Sequence, residues 1–344
     1  MKALVTGGKG FIGSHLAEKL LADGHEVVIL DLLEASCRNF DLMKSQNFTF
    51  LPWDIRRTNT DVAIAGLLKG YKIDWIFHLA GLADVVPSIN NPENYFLTNV
   101  FGTMNVLEAA RKSNVKKLVY ASSSSVYGIP DAFNIPTTEA APVKTQYPYA
   151  ETKYQGERWV SHYHRVYGLP AISLRLFNVY GPRSRTTGTY GAVFGTFLAQ
   201  KINNKPFTVV GNGRQSRDFV FVADVCDAFV KAAESEISRE VFNVGCGHPQ
   251  TILRLAELLG GKITFIPKRP GEPDITCADI SKINRTLNWN PTVSFEAGVK
   301  IMLDNINYWK DAPVWTPGTI SKATETWFEF LGKPQTGGSA NDGQ

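Results

Sequence analysis

The chain predicts an α/β protein built on a doubly wound parallel sheet, followed by a smaller C-terminal α/β lobe. Short, continuously apolar runs alternate with amphipathic stretches through the first half of the 344 residues. Parallel strands covered on both faces read this way. A Gly7-x-x-Gly10-x-x-Gly13 loop separates the first apolar run from the first helical stretch. After Gly181-Pro182 the segments become too short for a second sheet of full size.

Taken in order, residues 3–6 form the first strand and 11–21, with helical spacing of apolar side chains, the first helix. Residues 26–30 (Val27, Val28, Ile29, Leu30) make a second buried strand, 48–51 a third and 75–79 a fourth. A long helix over 95–112, a fifth strand over 117–121, a helix over 149–166 and a sixth strand over 171–176 complete this part. Beyond it, 191–200 is helical and 207–210 and 219–222 are short strands. A helix follows Asp224, and 253–259, 280–287 and 295–307 are further helices. The expected division is 1–180 and 181–335, with interleaved contacts, and a disordered polar tail at 336–344. Such a lobe sits over the C-terminal edge of the sheet, where these folds bind ligands.

Composition narrows the function classes. A hydrophobic content of 44% and a charged content of 20% are ordinary for a globular enzyme. The net charge is +4, with Lys and Arg scattered, so no nucleic-acid partner is expected and a small anionic ligand accounts for the bias. Cys37, Cys226, Cys246 and Cys277 form no C-x-x-C, so buried free thiols are expected and no metal site. No apolar run approaches the ~20 residues of a membrane span. The first strand begins at Lys2, so no signal peptide, no membrane partner and a cytoplasmic location are expected.

The glycine loop follows a strand and opens a helix, the context in which it binds a dinucleotide. Its glycines allow a tight turn and close approach of the backbone to a pyrophosphate at the helix N-terminus. Asp31 ends the second strand. A carboxylate there accepts ribose hydroxyls and repels a 2′-phosphate, which favours NAD over NADP. The nearest downstream arginine is Arg38. Asp54 follows the third strand, where it either meets the adenine amino group or serves as a turn or cap.

Tyr149 and Lys153 share a helix face. A phenol, with an ordinary pKa near ~10, is a poor base at neutral pH. A neighbouring ammonium and a cationic nicotinamide ring are expected to favour the phenolate. Ser123, ahead of them, can share the proton network of a substrate hydroxyl.

With Gly7-x-x-Gly-x-x-Gly13, His78-Leu-Ala-Gly81, Asn99, Ser122-Ser-Ser-Ser-Val-Tyr-Gly128 and Tyr149-x-x-x-Lys153, the chain resembles the extended short-chain dehydrogenase/reductase family in its nucleotide-sugar branch. Leu176-Phe-Asn-Val-Tyr-Gly-Pro-Arg183, Arg217-Asp-Phe-Val-Phe-Val-Ala-Asp224 and Arg269-Pro-Gly-Glu272 extend the resemblance, which runs to about Asn307. It implies a Rossmann domain binding NAD and a lobe gripping a nucleotide diphosphate sugar, expected to be UDP-linked. Ser123, Tyr149 and Lys153 would be catalytic. Phe11, Ile12, Ile55, Leu79, Ala80, Gly81 and Asn99 would line the cofactor site with the glycines, Asp31 and Asp54. Asn178, Arg217, Arg269 and Glu272 would hold the nucleotide sugar, with Ser123, Ser124 and Tyr149 at the sugar. Arg217 and Arg269 suit a diphosphate, and Glu272 suits ribose hydroxyls. A homodimer through the helices over 95–112 and 149–166 is also expected.

Dehydratases resembling this chain place an acidic pair directly after the catalytic Ser or Thr; here Ser124 and Ser125 stand there. This favours 4-epimerisation. A net 4-dehydrogenase or 4-ketoreductase, or a 4,6-dehydratase, is the alternative. Among such epimerases, a bulky residue seven after the arginine of Arg269-Pro-Gly-Glu272 excludes N-acetylated sugars. Thr276 is small, so UDP-hexose and UDP-N-acetylhexosamine are both expected to fit, with a UDP-uronic acid as a further candidate. Ala83 stands where typical hexose epimerases carry Lys.

Overall fold

The computed structural model describes residues 1–33, 45–184 and 191–332. Cys37, Arg38 and the tail at 336–344 lie outside the described residues. Parallel strands β1 (Lys2–Thr6), β2 (Glu26–Asp31), β3 (Phe48–Pro52), β4 (Trp75–His78), β5 (Lys117–Ser123) and β6 (Ala171–Leu176) build most of one sheet. Helices α1 (Phe11–Ala22), α2 (Thr60–Tyr71), α3 (Val85–Asn90), α4 (Pro92–Phe96), α5 (Gly102–Arg111) and α6 (Pro148–Tyr167) lie between them. Alternation along the strands assigns side chains to opposite faces. Ala3 and Val5 join the cluster containing Leu16, Ala17 and Leu20 of α1. Leu4 joins the cluster with Ile64 and Leu68 of α2, Val106 of α5 and Val160 of α6.

The remaining elements are β7 (Asn178–Tyr180), α7 (Val193–Ile202), β8 (Phe207–Val210), β9 (Ser216–Arg217), β10 (Phe219–Phe221), α8 (Val222–Glu234), β11 (Glu240–Val244), β12 (Gln250–Thr251), α9 (Ile252–Leu259), β13 (Ile263–Ile266), α10 (Ser281–Leu287), α11 (Phe295–Asp304), α12 (Pro317–Ala323) and α13 (Glu325–Leu331). The large sheet has seven strands in the order β11-β6-β5-β4-β1-β2-β3. The others form two-stranded pairs, β10-β7, β12-β9 and β13-β8. One hydrophobic cluster runs from the α1 face of the sheet to Phe197, Phe207, Trp289 and Trp309 in the later segment.

Some expected elements change. The single helix over 95–112 is broken into α4, a π-helical turn over Leu97–Phe101, and α5. The wide turn leaves the Asn99 carbonyl to accept from the Thr103 hydroxyl at 2.6 Å. Helix α8 starts at Val222, not after Asp224, and α11 stops at Asp304. Strands β7, β11 and β13 and helices α2, α12 and α13 were not anticipated. Cys226 and Cys277 are buried as expected, whereas Cys246 is only partly so. Among the described residues, no helix is long and apolar enough to cross a membrane.

Candidate active site

Strand order reverses at β1 and β4, and the loops after these two strands open a crevice at their C-terminal ends. Gly7 has φ +70°, and a Cβ there would lie 2.7 Å from the Ala80 nitrogen. The Gly7 N–H donates to the Leu30 carbonyl at 2.9 Å, and the Gly10 N–H to the Gly7 carbonyl at 3.0 Å. A Cβ on Gly13 would collide with the Gly7 carbonyl oxygen. Helix α1 therefore starts tight against the loop, and Gly10 gives it no side-chain cap. The half-buried Phe11 and Ile12 form its first turn. Such an uncapped N-terminus suits an anion.

Asp31 faces this loop. Its Oδ2 accepts from the Lys9 N–H at 2.8 Å, and its Oδ1 from the Leu32 N–H at 2.8 Å. Burial pushes the carboxyl pKa up, and the two backbone donors oppose that shift. Each oxygen keeps a lone pair for a ribose hydroxyl. The cradle and Asp31 together fit the adenosine diphosphate half of NAD.

Asp54 forms a turn with Arg56. Its carboxylate accepts from the Arg56 N–H at 2.9 Å and from the Arg56 guanidinium, with Nη2 to Oδ2 at 2.7 Å. That guanidinium holds the carboxyl pKa below its usual value. Ile55 is buried; its carbonyl accepts from Asn105 at 2.7 Å.

After β4, the Leu79 N–H donates to the Thr6 carbonyl at 3.1 Å and the Ala80 N–H to the Thr6 hydroxyl at 3.2 Å. Asn99 clamps the next residue from both sides. Its Oδ1 accepts from the Leu82 N–H at 2.8 Å, and its Nδ2 donates to the Leu82 carbonyl and the Thr152 hydroxyl, each at 3.0 Å. The Asn99 amide thus shapes the cofactor-side loop from behind. Gly81 is wedged between that amide and Lys153, with its would-be Cβ 3.7 Å from Nζ.

Ser123 ends β5, and Tyr149 and Lys153 lie in the first turns of α6. The Ser125 hydroxyl donates to Ser123 Oγ at 2.8 Å. Ser123 and Ser125 both stand near enough to the Tyr149 phenol to oppose the rise in its pKa. Ser125 therefore joins Ser123 beside the tyrosine. A short 3₁₀ turn over Ser124–Tyr127 decides this by swinging residue 125 back over Ser123.

Burial raises the Tyr149 pKa; the bonds from Ser123 and Ser125 pull it down, and the charge of Asp84 adds to the rise. Burial also depresses Lys153 to about 7, opposed by Glu157. Lys153 Nζ lies 4.6 Å from the centre of the Tyr120 ring, a cation–π contact in a buried place.

The substrate candidates gather on the opposite wall. Glu272 lies between two arginines, 3.8 Å from Arg217 Nη2 and 3.3 Å from Arg269 Nη2. Arg217 Nη1 also donates to the Ser216 and Pro273 carbonyls at 2.9 and 2.8 Å. Arg217 and Glu272 line a cavity of about 390 Å³ with Asn212, Gln215 and Lys268. The Thr276 hydroxyl accepts from the Asp218 N–H at 3.2 Å and lies 3.3 Å from Asn178 Oδ1, so these two side chains meet. Asp218 and Asp224, which flank the motif between them, are structural knots. Asp218 accepts from the Cys246, Gly247 and Ala278 N–H groups, and Asp224 from Thr292 and Val293. Ser124 makes no such contact with the site and stands half-buried beside it.

Sequence reasoning missed Tyr147 and Trp327 as well as Ser125. Tyr147 stacks on Tyr149 with centroids 6.4 Å apart and planes 7° apart. Its place two residues before Tyr149 was the available signal; Trp327 gave none.

Comparison with known proteins agrees with this geometry. The family model described as NAD dependent epimerase/dehydratase family matches residues 3–245. The chain is 38% identical over 309 residues to a UDP-glucose 4-epimerase of Mycolicibacterium smegmatis, covering 87% of this chain and 96% of that one. The structure of UDP-glucuronic acid 4-epimerase from Bacillus cereus, in complex with UDP-glucuronic acid and NAD, superposes with a TM-score of 0.81 at 33% identity, over 89% of this chain and 99% of that one. A UDP-N-acetylglucosamine 4-epimerase from Methanobrevibacter ruminantium, in complex with UDP-N-acetylmuramic acid, gives a TM-score of 0.79 at 32% identity, over 88% and 98%. A glycine cradle at the strand reversal, a tyrosine and a buried lysine one turn apart on a helix beside a serine-ended strand, and matches over most of the length converge on one conclusion: the chain belongs to the NAD-dependent epimerase/dehydratase family.

Proposed function

We propose that this protein is an NAD-dependent nucleotide-sugar 4-epimerase acting on a UDP-hexose or a UDP-N-acetylhexosamine. Bound NAD supplies the acceptor, and later the donor, of the C4 hydride. Tyr149 takes the proton of the sugar 4-hydroxyl and returns it to the 4-keto sugar presented by its other face. Ser123 and Ser125 hold the phenol and share that proton. Lys153, buried behind Gly81, provides a cation whose charge is readily given up near neutrality. Arg217 and Arg269 neutralise the diphosphate, and Glu272 bridges the two arginines while accepting ribose hydroxyls.

The observation that carries this reading is the serine pair on Tyr149. Ser125 donates to Ser123 where a dehydratase needs a carboxylic acid. Hydroxyls suffice for reversible oxidation at C4 but cannot protonate a leaving group at C6 as an acid does. The deciding experiment incubates the protein with UDP-glucose, UDP-galactose and their N-acetylated counterparts. The expected product is an equilibrium mixture of C4 epimers without net NADH. Stoichiometric NADH, or a product lighter by one water, overturns the reading in favour of a dehydrogenase or a dehydratase.

A further inference from the structure

Helices α12 and α13 follow the stretch that resembles the family, which ends near Asn307. Helix α12 is anchored by the buried Ile320, which packs with Val210 of β8 and Ile266 of β13. The Trp315 carbonyl, just before it, accepts from Gln200 at 2.8 Å. This anchorage carries α13 onto the turn at 269–272. Trp327 is only 6% exposed there, although its helix neighbours Phe328 and Phe330 are 40% and 56% exposed. The Trp327 indole N–H donates to the Pro270 carbonyl at 2.6 Å. Its ring faces the Arg269 guanidinium at 5.4 Å and lies 6.3 Å from the Tyr147 ring. One residue thus touches the turn that carries Arg269, the guanidinium itself and the aromatic neighbour of Tyr149.

A helix docked only for packing needs an apolar side chain here. The indole does more, because its N–H fixes the backbone beside Arg269 while its face fixes the side chain. Arg269 in turn reaches Glu272 at 3.3 Å, and Glu272 reaches Arg217. We propose that Trp327 is a positioning residue of the nucleotide-sugar site, through which the C-terminal helix sets Arg269 and completes the diphosphate grip. This inference rests on the nucleotide-sugar reading of that wall. Because its hydrogen bond goes to the Pro270 carbonyl and its ring face to Arg269, Trp327 governs binding rather than the chemical step.

The test measures UDP affinity, NAD affinity and UDP-hexose kinetics on the full chain for wild type, Trp327→Phe, Trp327→Ala, Arg269→Ala and the Trp327→Ala/Arg269→Ala double variant. Trp327→Ala is expected to weaken UDP binding and raise KM by roughly 3- to 30-fold, the range of a partly to fully desolvated cation–π contact. kcat and NAD affinity should stay near wild type. The double variant should bind UDP no worse than Arg269→Ala alone, because the tryptophan acts through the arginine. Trp327→Phe keeps the ring face and loses only the indole N–H, so it should fall between wild type and Trp327→Ala, and it serves where the alanine variant does not fold. Wild-type UDP affinity in Trp327→Ala, or additive losses in the double variant, would overturn the proposal. So would a matching fall in NAD affinity, which marks general loosening. A wild-type protein that binds NAD but neither binds UDP nor converts any UDP-sugar overturns the nucleotide-sugar reading itself, and that failure appears before any substitution is made.

Discussion

Tyr149 and Lys153 are opposed by the same force, the removal of water from a charged group. Tyr149→Phe removes only the phenolic oxygen, and turnover should fall by the ~10²–10⁴-fold typical of a lost acid–base group while NAD binding persists. More than about a tenth of wild-type rate under chemistry-limited conditions would assign the base elsewhere. Lys153 makes a prediction about stability. Its folded pKa is about 7, against ~10.4 in an unfolded chain. Between those values the unfolded chain binds a proton that the folded one does not, so this lysine's destabilising effect is full below pH ~7 and fades toward pH ~10. Lys153→Met should therefore be more stable than wild type at neutral pH, with the gap narrowing as pH rises. Thermal unfolding from pH 6 to 10 checks the sign, and a gap that widens with pH contradicts the buried ammonium. Thr276→Tyr fills space beside Asn178. Overpacking of ~1–3 kcal/mol corresponds to roughly 5- to 150-fold against UDP-N-acetylhexosamine, with UDP-hexose little affected. Equal loss in kcat/KM on both substrates would place Thr276 outside the pocket. Residue types and spacing made the glycine cradle, Asp31 and the Tyr-Lys pair legible in the sequence. They did not show that Ser125 folds back onto Ser123, because turn type decides that. Nor did they show that Asp54 turns to Arg56.

The element that fixes the site is α6. Gly156 on this helix meets β5 so closely that a Cβ would strike the Tyr120 hydroxyl. Alanine inside a helix normally gains ~0.5–1 kcal/mol over glycine. Here overpacking of ~1–3 kcal/mol opposes that gain, and Tyr120 lies directly under Lys153. Gly156→Ala should lower the denaturant midpoint and reduce kcat together. An unchanged or raised midpoint would mean that α6 yields without strain. Elements with a continuous apolar run at their centre, such as Val27–Leu30 of β2 and Leu118–Ala121 of β5, were readable because both faces are buried there. Strand β11 was not, because Asn243 interrupts it. That asparagine is fully buried, accepts from the Tyr127 hydroxyl at 2.7 Å and donates to the Thr137 carbonyl at 2.8 Å. Its polarity is satisfied by partners more than a hundred residues away in sequence. The π turn at 97–101 is equally silent, since one extra residue per turn leaves composition unchanged.

At the scale of the whole molecule, a homodimer is expected through the helices around 95–111 and 148–167. Phe96 and Leu97 on one, and Val166 and Tyr167 on the other, leave 38–52% of their surface exposed. Sedimentation equilibrium at micromolar concentration should give a dimer, and a stable monomer would refute it. The fold class and the family were legible from the first half of the chain because chemistry and periodicity coincide there. The later segment was less so, since its two-stranded pairs draw partners from distant stretches: β7 with β10 and β8 with β13. The same separation shapes the birth of the protein. Strand β6 ends at Leu176, but its outer neighbour β11 begins only at Glu240. At a synthesis rate of roughly 5–20 residues per second, the nascent sheet waits several seconds with that edge bare. An open parallel edge is a template for any passing strand. The interval between these two strands is therefore one in which a ribosome-bound chain offers a pairing edge that the finished protein covers.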